Sequence, residues 1–191
     1  MQKKNIILII IFYQIYFLNT AFAESKTEII NYILGINNFS SKFIQTENES
    51  FSEGNFYLQN NRLKVEYLQP SSIEIILAKN KAMYFNKDLQ EVEYFNPNKT
   101  IAKIFYDVFN NEFFFTDANL KSKNAFSILA KDIIIDDIKY KIDILFENKP
   151  LIIRKVIIDD GVNIIQFGII NIDYFPDFEK NFFSMSNPMI K

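Results

Sequence analysis

Apolar and polar side chains alternate along residues 54–96 in a series of short runs, and each run is followed by a turn signal. The clearest run, residues 62–68, places Leu63, Val65 and Tyr67 on one face and charged side chains on the other. Gln69 and Pro70 then stop it. Period-two alternation with closely spaced turns is typical of an antiparallel meander. Such a sheet buries one face and exposes the other to water, so we expect this segment to cover one side of a core.

Two segments carry the helical period instead. Ser25 is followed three residues later by Glu28, the spacing of a capping box, and an apolar stripe then runs to Gly35. This pattern predicts an amphipathic helix over residues 25–36. Bulky apolar side chains recur at helical spacing after residue 100 and predict a second, single-faced helix. They are Ile101, Ile104, Phe105, Val108 and Phe109.

The rest of the chain reads mainly as strands. Residues 47–53 are mostly polar and are predicted to form a loop. With the meander, the count is about ten or eleven strands, and an antiparallel sheet of that size curls or closes. The predicted fold is therefore mainly β with α: a curled antiparallel sheet with helices over its concave side. The further strands are predicted at residues 39–46, 126–130, 138–146, 151–158 and 162–171, with a short last strand near 182–184.

Three consecutive aromatic residues, Phe113, Phe114 and Phe115, follow the second helix. A helix or a strand would be apolar on both faces at this point. An exposed apolar patch of this kind promotes aggregation unless the fold covers it or a ligand or partner binds to it. Two interpretations remain open: a buried turn that fills the core, or part of an apolar ligand site.

Residues 1–23 have the layout of a cleaved secretory signal peptide. Lys3 and Lys4 precede an apolar run over residues 6–18, and a small-residue cleavage pattern ends at Ala23. The run is shorter than the roughly 20 residues that span a bilayer. We therefore expect export from the cytoplasm and one mature domain over residues 24–191, a length sufficient for a single core.

Composition excludes several classes of chemistry. The chain has no His, Cys or Trp. Ser-His-Asp and Cys-His catalysis and the common zinc sites all need residues that are absent, so we expect no enzyme activity, no metal and no cofactor. A net charge of −2 without a basic run argues against nucleic acid. The carboxylate pairs Asp136-Asp137 and Asp159-Asp160 offer one enzymatic alternative, because two acids across a cleft can act as general acid and base. Both pairs fall at predicted turns, so they are interpreted as solvated turn residues.

The order of these pieces resembles the LolA family, the periplasmic carriers of outer-membrane lipoproteins. Residues 39–45, FSSKFIQ, are similar to the family's F-x-x-x-F-x-Q, and residues 54–58, GNFYL, to its glycine-led strand. Residues 62–70, RLKVEYLQP, resemble its next strand and turn. The family's Arg-Pro before that strand is replaced by Gln59-Asn60. In the family a buried arginine is thought to hold the helical lid closed. Arg62 matches a different family arginine, so a lid-holding role for Arg62 is only a hypothesis.

The resemblance implies an incompletely closed β-barrel whose apolar cavity is covered by a helical lid. It further implies a periplasmic carrier that takes acylated lipoproteins from an inner-membrane ABC transporter to an outer-membrane receptor lipoprotein. We expect this carrier to be a monomer. That receptor is anchored through a Cys, which this chain lacks, so the soluble carrier fits better. The expected lid is the second helix, with Ile101, Ile104, Phe105, Val108 and Phe109. The expected cavity wall is Phe56, Leu58, Leu63, Val65, Ile75, Leu77, Met83 and Phe85.

Two alternatives to this function stay open from the sequence. The same cavity suits a periplasmic carrier of another lipid or of an apolar small molecule. A structural sheet protein that binds partners along an edge is the second, although the 21 Phe and 10 Tyr residues favour a cavity over a flat surface.

Overall fold

One eleven-stranded antiparallel sheet dominates the protein, in a computed structural model that describes residues 25–190. The expected signal peptide, residues 1–23, lies outside the described residues. Within residues 25–190, neither α-helix combines the length and the apolar character that a membrane crossing needs.

The described chain begins with helix α1 (Lys26–Gly35), and helix α2 (Ala102–Asn110) interrupts the strands. Short 3-10 helices, Pro97–Lys99 and Glu112–Phe115, flank α2. The strands are β1 (Asn38–Glu47), β2 (Ser50–Gln59), β3 (Arg62–Gln69), β4 (Ile73–Leu77), β5 (Ala82–Asn86), β6 (Glu91–Phe95), β7 (Asn119–Lys123), β8 (Phe126–Ile135), β9 (Ile138–Asn148), β10 (Leu151–Asp159) and β11 (Ile164–Asp173).

The strand order is β6-β5-β4-β3-β2-β1-β11-β10-β9-β8-β7, so β6 and β7 are the two edges and the barrel is not closed. The chain passes from one edge to the other through residues 96–118, called the inserted segment here, which carries α2. An open, curled sheet with helices on it confirms the predicted fold class.

The predicted capping box starts α1. The backbone N–H of Glu28 donates to Ser25 Oγ at 3.2 Å, and the Ser25 N–H donates to Glu28 Oε2 at 2.7 Å. The helix then buries Ile29 and Ile33 completely. Its apolar face therefore packs on the concave side of the sheet, as the sequence pattern predicts.

Helix α2 is held against strands β1 and β2 by aromatic packing. The ring of Phe109 lies 5.4 Å from that of Phe39 and 5.7 Å from that of Phe56, between ring centroids. Ile104 and Val108 are fully buried beside them. The core thus lies between the concave sheet face and both helices, as a two-layer architecture requires.

Three local predictions are wrong. Residues 50–53 belong to β2, because a polar stretch still pairs when its neighbour β1 continues beside it, and Thr46 faces Phe51. Strand β7 was missed because its alternation is weak and its side chains are mostly exposed. The expected strand near residues 182–184 is absent. Residues 174–190, called the C-terminal segment here, instead include no strand, and their part from Phe178 to Met185 crosses the convex face.

Candidate functional site

A small apolar cavity lies between the concave face of the sheet and the start of α2. Its volume is about 120 Å³. Strands β1 to β4 and β11 supply its walls, and the inserted segment closes one side. The lining residues are Gln45, Phe56, Val65, Tyr67, Ile75, Leu77, Ile101, Ala102, Phe105, Ile165 and Phe167.

Strand register explains why these side chains meet. Val65 faces Phe56 across the β2–β3 ladder and Ile75 across the β3–β4 ladder. Residues directly opposite each other project to the same side of a sheet. The period-two pattern of each strand therefore combines into one continuous apolar surface.

The structure brings six of the predicted wall residues to the concave face. Leu58 and Leu63 are buried in the core on that face without lining the cavity. The four that line the cavity itself are Phe56, Val65, Ile75 and Leu77.

Met83 and Phe85 do not reach the cavity, and their assignment to its wall is corrected. Both lie in a separate cluster with Ile76 on the convex face. Met83 faces Ile76 across the β4–β5 ladder. Ile75, which precedes Ile76 in β4, points to the opposite face and lines the cavity. Strand β5 has buried side chains on both faces, so its alternation does not specify which face is inward.

The predicted lid side chains divide into two groups. Ile101 and Phe105 are half-buried and line the cavity. Ile104, Val108 and Phe109 are buried in the core next to it. The single apolar stripe read from the sequence therefore covers both the cavity and the adjacent core.

Polar contacts hold both ends of the inserted segment. At its start, the Asn98 side-chain amide donates to the carbonyl oxygen of Lys79 and to Oδ1 of Asn80, each at 3.2 Å. At its end, Lys131 Nζ donates to the carbonyl oxygen of Phe114 at 2.6 Å. The segment is thereby tied to the β4–β5 turn and to β8, on opposite sides of the opening.

Arg62 does not contact α2, and the structure corrects its suggested lid-holding role. Its Nη1 donates to the carbonyl oxygen of Phe183 at 2.9 Å, on the convex face. Its neighbour Lys64 lies 4.1 Å from the ring centroid of Phe182. These cations at the start of β3 hold the C-terminal segment. The sequence did not indicate this, because the contact joins positions about 120 residues apart.

The three consecutive aromatics split between the two interpretations. Phe114 and Phe115 are buried and fill the core, in agreement with the buried-turn interpretation. Phe113 is 72% exposed. None of the three lines the apolar cavity.

Two polar side chains on the cavity wall were missed by the sequence reasoning. The Tyr67 hydroxyl donates to Gln45 Oε1 at 2.7 Å. Burial, with a smaller contribution from the negative charge of Glu47, raises the pKa of Tyr67 to about 12. The signal was present, because Gln45 continues the alternation of Phe43 and Tyr67 that of Val65.

The carboxylate pairs form turns, as predicted. Asp136 and Asp137 both have positive φ and make the two-residue turn between β8 and β9. Asp160 accepts from the backbone N–H groups of Val162 and Asn163, which lowers the pKa of its carboxyl. Their side chains are thus explained by turn chemistry.

An open half-barrel whose concave face encloses an apolar cavity under an inserted helix is a carrier-type fold. Residues 35–186 match the family model described as "Outer membrane lipoprotein carrier protein LolA", and the chain belongs to this family. It is a family of carriers, not of enzymes.

Solved structures share this fold at low sequence identity. An uncharacterized conserved protein from Thermus thermophilus has a TM-score of 0.53 and 6% identity, over 81% of this chain and 88% of that one. A putative outer membrane lipoprotein-sorting protein domain from Vibrio parahaemolyticus has a TM-score of 0.51 and 11% identity, over 82% of this chain and 95% of that one. A comparison with curated proteins finds no match.

Proposed function

We propose that this protein is a periplasmic carrier that shelters the acyl chains of lipoproteins on the concave face of its sheet. The observation that carries the proposal is the apolar cavity beneath Ile101 and Phe105, in a chain of the lipoprotein-carrier family. The N-terminal pattern of residues 1–23 supports an exported, periplasmic protein.

The physical need for such a carrier follows from the hydrophobic effect. Each methylene withdrawn from water contributes about 0.8 kcal/mol, so an exposed acyl chain does not cross an aqueous compartment unescorted. A surface of Phe, Val, Ile and Leu side chains shelters hydrocarbon without needing a matched polar partner for each group. The concave face supplies such a surface.

In the described conformation the start of α2 covers the cavity, as a closed lid would. A cavity of about 120 Å³ holds the volume of only about four water molecules. An acyl chain needs more space, so α2 must swing away from the sheet for loading. In the unloaded protein, Ile101 and Phe105 cover the apolar wall and thus compete with cargo for it. This competition keeps the net affinity low enough for release.

The proposed route begins at an inner-membrane ABC transporter that releases lipoproteins and ends at an outer-membrane receptor lipoprotein. The family description, which names an outer membrane lipoprotein carrier, supports this direction. The carrier acts as a soluble monomer between the two membranes.

Mass spectrometry of the mature protein, purified from its native periplasm without detergent, tests this function. We expect co-purified acylated lipoprotein. If free phospholipid or another apolar small molecule co-purifies without lipoprotein, the protein is a carrier of that other ligand. Phe105→Glu serves as the matched variant, because a charge on the cavity wall should empty the protein while the core side chains remain. If wild type and Phe105→Glu carry the same lipoprotein load, the cavity is not the cargo site.

A further inference from the structure

We propose that the cavity selects neutral acyl esters or amides over free fatty acids, and that Gln45 and Tyr67 form the polar anchor for the ligand's carbonyl oxygen. This inference rests on the proposed carrier function and adds the chemical class of the ligand's head to it.

Gln45 and Tyr67 are the two polar side chains among the residues that line the cavity. The Tyr67 hydroxyl donates its hydrogen to Gln45 Oε1. This contact directs the carboxamide so that its NH₂ group, with two donors, remains available. Among residues 25–190, no acceptor hydrogen-bonds to that NH₂ group. An N–H donor on the wall of an otherwise apolar pocket matches a carbonyl oxygen, because the donor would lose its contact with water and remain unpaired if bound hydrocarbon alone covered it.

The pair is held in place by its surroundings. The ring of Phe43 packs edge-on against the ring of Tyr67 with centroids 5.1 Å apart. Gly54, which faces Tyr67 across the β2–β3 ladder, leaves the space next to Phe43 free. The anchor is therefore fixed before ligand arrives, which reduces the entropic cost of the hydrogen bond.

Charge near the cavity separates neutral acyl groups from carboxylates. The residues that line it include no Lys or Arg. The charge that acts on Tyr67 is negative: the carboxylate of Glu47, together with burial, raises the Tyr67 pKa. A free fatty-acid anion would lose its hydration there without gaining a cation, and burial of an unpaired charge is strongly unfavourable. An ester or amide carbonyl carries no charge and needs one donor.

The test uses displacement of an apolar fluorescent dye by three matched ligands: monodecanoylglycerol, the corresponding decyl glyceryl ether, and decanoate. In the wild-type protein we expect the ester to bind about threefold to tenfold more tightly than the ether, the contribution of one hydrogen bond. We expect decanoate to bind more weakly than the ester.

Gln45→Met keeps the length of the side chain and removes its amide, so the ester-to-ether ratio should fall to about one. Tyr57→Phe is the control, because the Tyr57 hydroxyl bonds to Glu66 on the convex face and its loss should leave the ratio unchanged. If Gln45→Met does not fold, Tyr67→Phe replaces it, since it removes the hydroxyl that orients the amide.

If the ester-to-ether affinity ratio is the same in the wild type and in Gln45→Met, Gln45 does not anchor the carbonyl oxygen. If decanoate binds as tightly as the ester, the cavity does not select neutral acyl groups. Either result leaves the carrier function intact. Failure of all three ligands to displace bound dye from the wild type counts against the acyl-chain cavity and hence against the proposed function itself.

Discussion

The ring of Phe105 in α2 meets the ring of Phe167 in β11 at a steep angle, with centroids 5.0 Å apart and planes inclined by 61°. Phe105 follows β6 in the chain and Phe167 lies across the concave face, so this contact closes the cavity. An aromatic pair of this geometry contributes about 0.5–1.5 kcal/mol beyond its buried area. This contribution adds to that of the buried area in holding α2 against β11.

Phe105→Glu should weaken retention of apolar ligand more than it weakens folding. Phe105 is only half-buried, so the carboxylate of a Glu at this position can reach water without disturbing the core. The same carboxylate would face the apolar wall of the cavity and disfavour hydrocarbon there. Dye titration and thermal unfolding, measured together, test this. The adjacent Ile104→Glu is the matched control, because Ile104 is fully buried and the variant should not fold. If Phe105→Glu unfolds as Ile104→Glu does, Phe105 is a core residue and not part of a lid.

Lys131→Met should loosen the end of the inserted segment. It removes a nearly buried cation that donates to the Phe114 carbonyl and lies 4.6 Å from the Phe114 ring centroid. We expect a loss of about 1–3 kcal/mol in the free energy of unfolding and faster dye entry. Lys139→Met is the control, since the Lys139–Asp132 ion pair is exposed on both sides and such pairs contribute little. Equal effects of the two variants would show that the Phe114 contact does not hold the segment.

Gly54→Ala should destabilise the sheet beside the cavity. A Cβ at this position falls 1.9 Å from the backbone oxygen of Glu66 and 2.8 Å from Cε1 of Phe43. Backbone cannot give way as a flexible side chain does, so the cost should reach or exceed the about 1–3 kcal/mol of ordinary overpacking. Gly35→Ala, at the end of α1 where nothing lies within 4 Å, should be neutral or slightly stabilising. Chemical denaturation of both variants checks this, and a tolerated Gly54→Ala would contradict the described β2–β3 packing.

Tyr67 should make the protein less stable at alkaline pH. Its pKa is about 12 in the folded protein and near 10 in the unfolded chain, so the folded state holds the proton more tightly. This contribution is complete below pH 10 and is lost as the pH rises from 10 to about 12. Burial also raises the pKa values of Tyr32 and Tyr57, which adds to the same trend. Between pH 10 and about 12, the free energy of unfolding should fall less steeply with pH for Tyr67→Phe than for the wild type. An equal slope would contradict the raised pKa.

Arg62→Ala should free the C-terminal segment and leave α2 unchanged. Amide hydrogen exchange should become faster at Phe182 and Ser184, whose N–H groups bond within that segment. Exchange in residues 102–110 should not change, because Arg62 bonds to Phe183 on the convex face. Arg154→Ala, which breaks a surface pair with Glu147 on β9 and β10, is the control. Faster exchange in α2 with an unchanged C-terminal segment would restore the lid-holding role to Arg62.

Local patterns predicted most of the elements. The capping box at Ser25 and Glu28, the alternation of β3 and the helical stripe of α2 each depend on neighbours within a few residues. Such signals survive without tertiary information. Strand β7 shows the limit, because its exposed polar side chains leave no alternation to detect.

Period and composition were enough to establish a large curled antiparallel sheet, an apolar concave surface and a helix with a single apolar face inserted between strands. Only the three-dimensional packing decided three further features. Met83 and Phe85 lie on the convex face, Arg62 holds the C-terminal segment, and Gln45 and Tyr67 meet on the cavity wall. Each of these depends on register or on contacts between distant parts of the chain. A shift of one residue reverses every side chain in a strand, and a strand that is apolar on both faces does not indicate its own register.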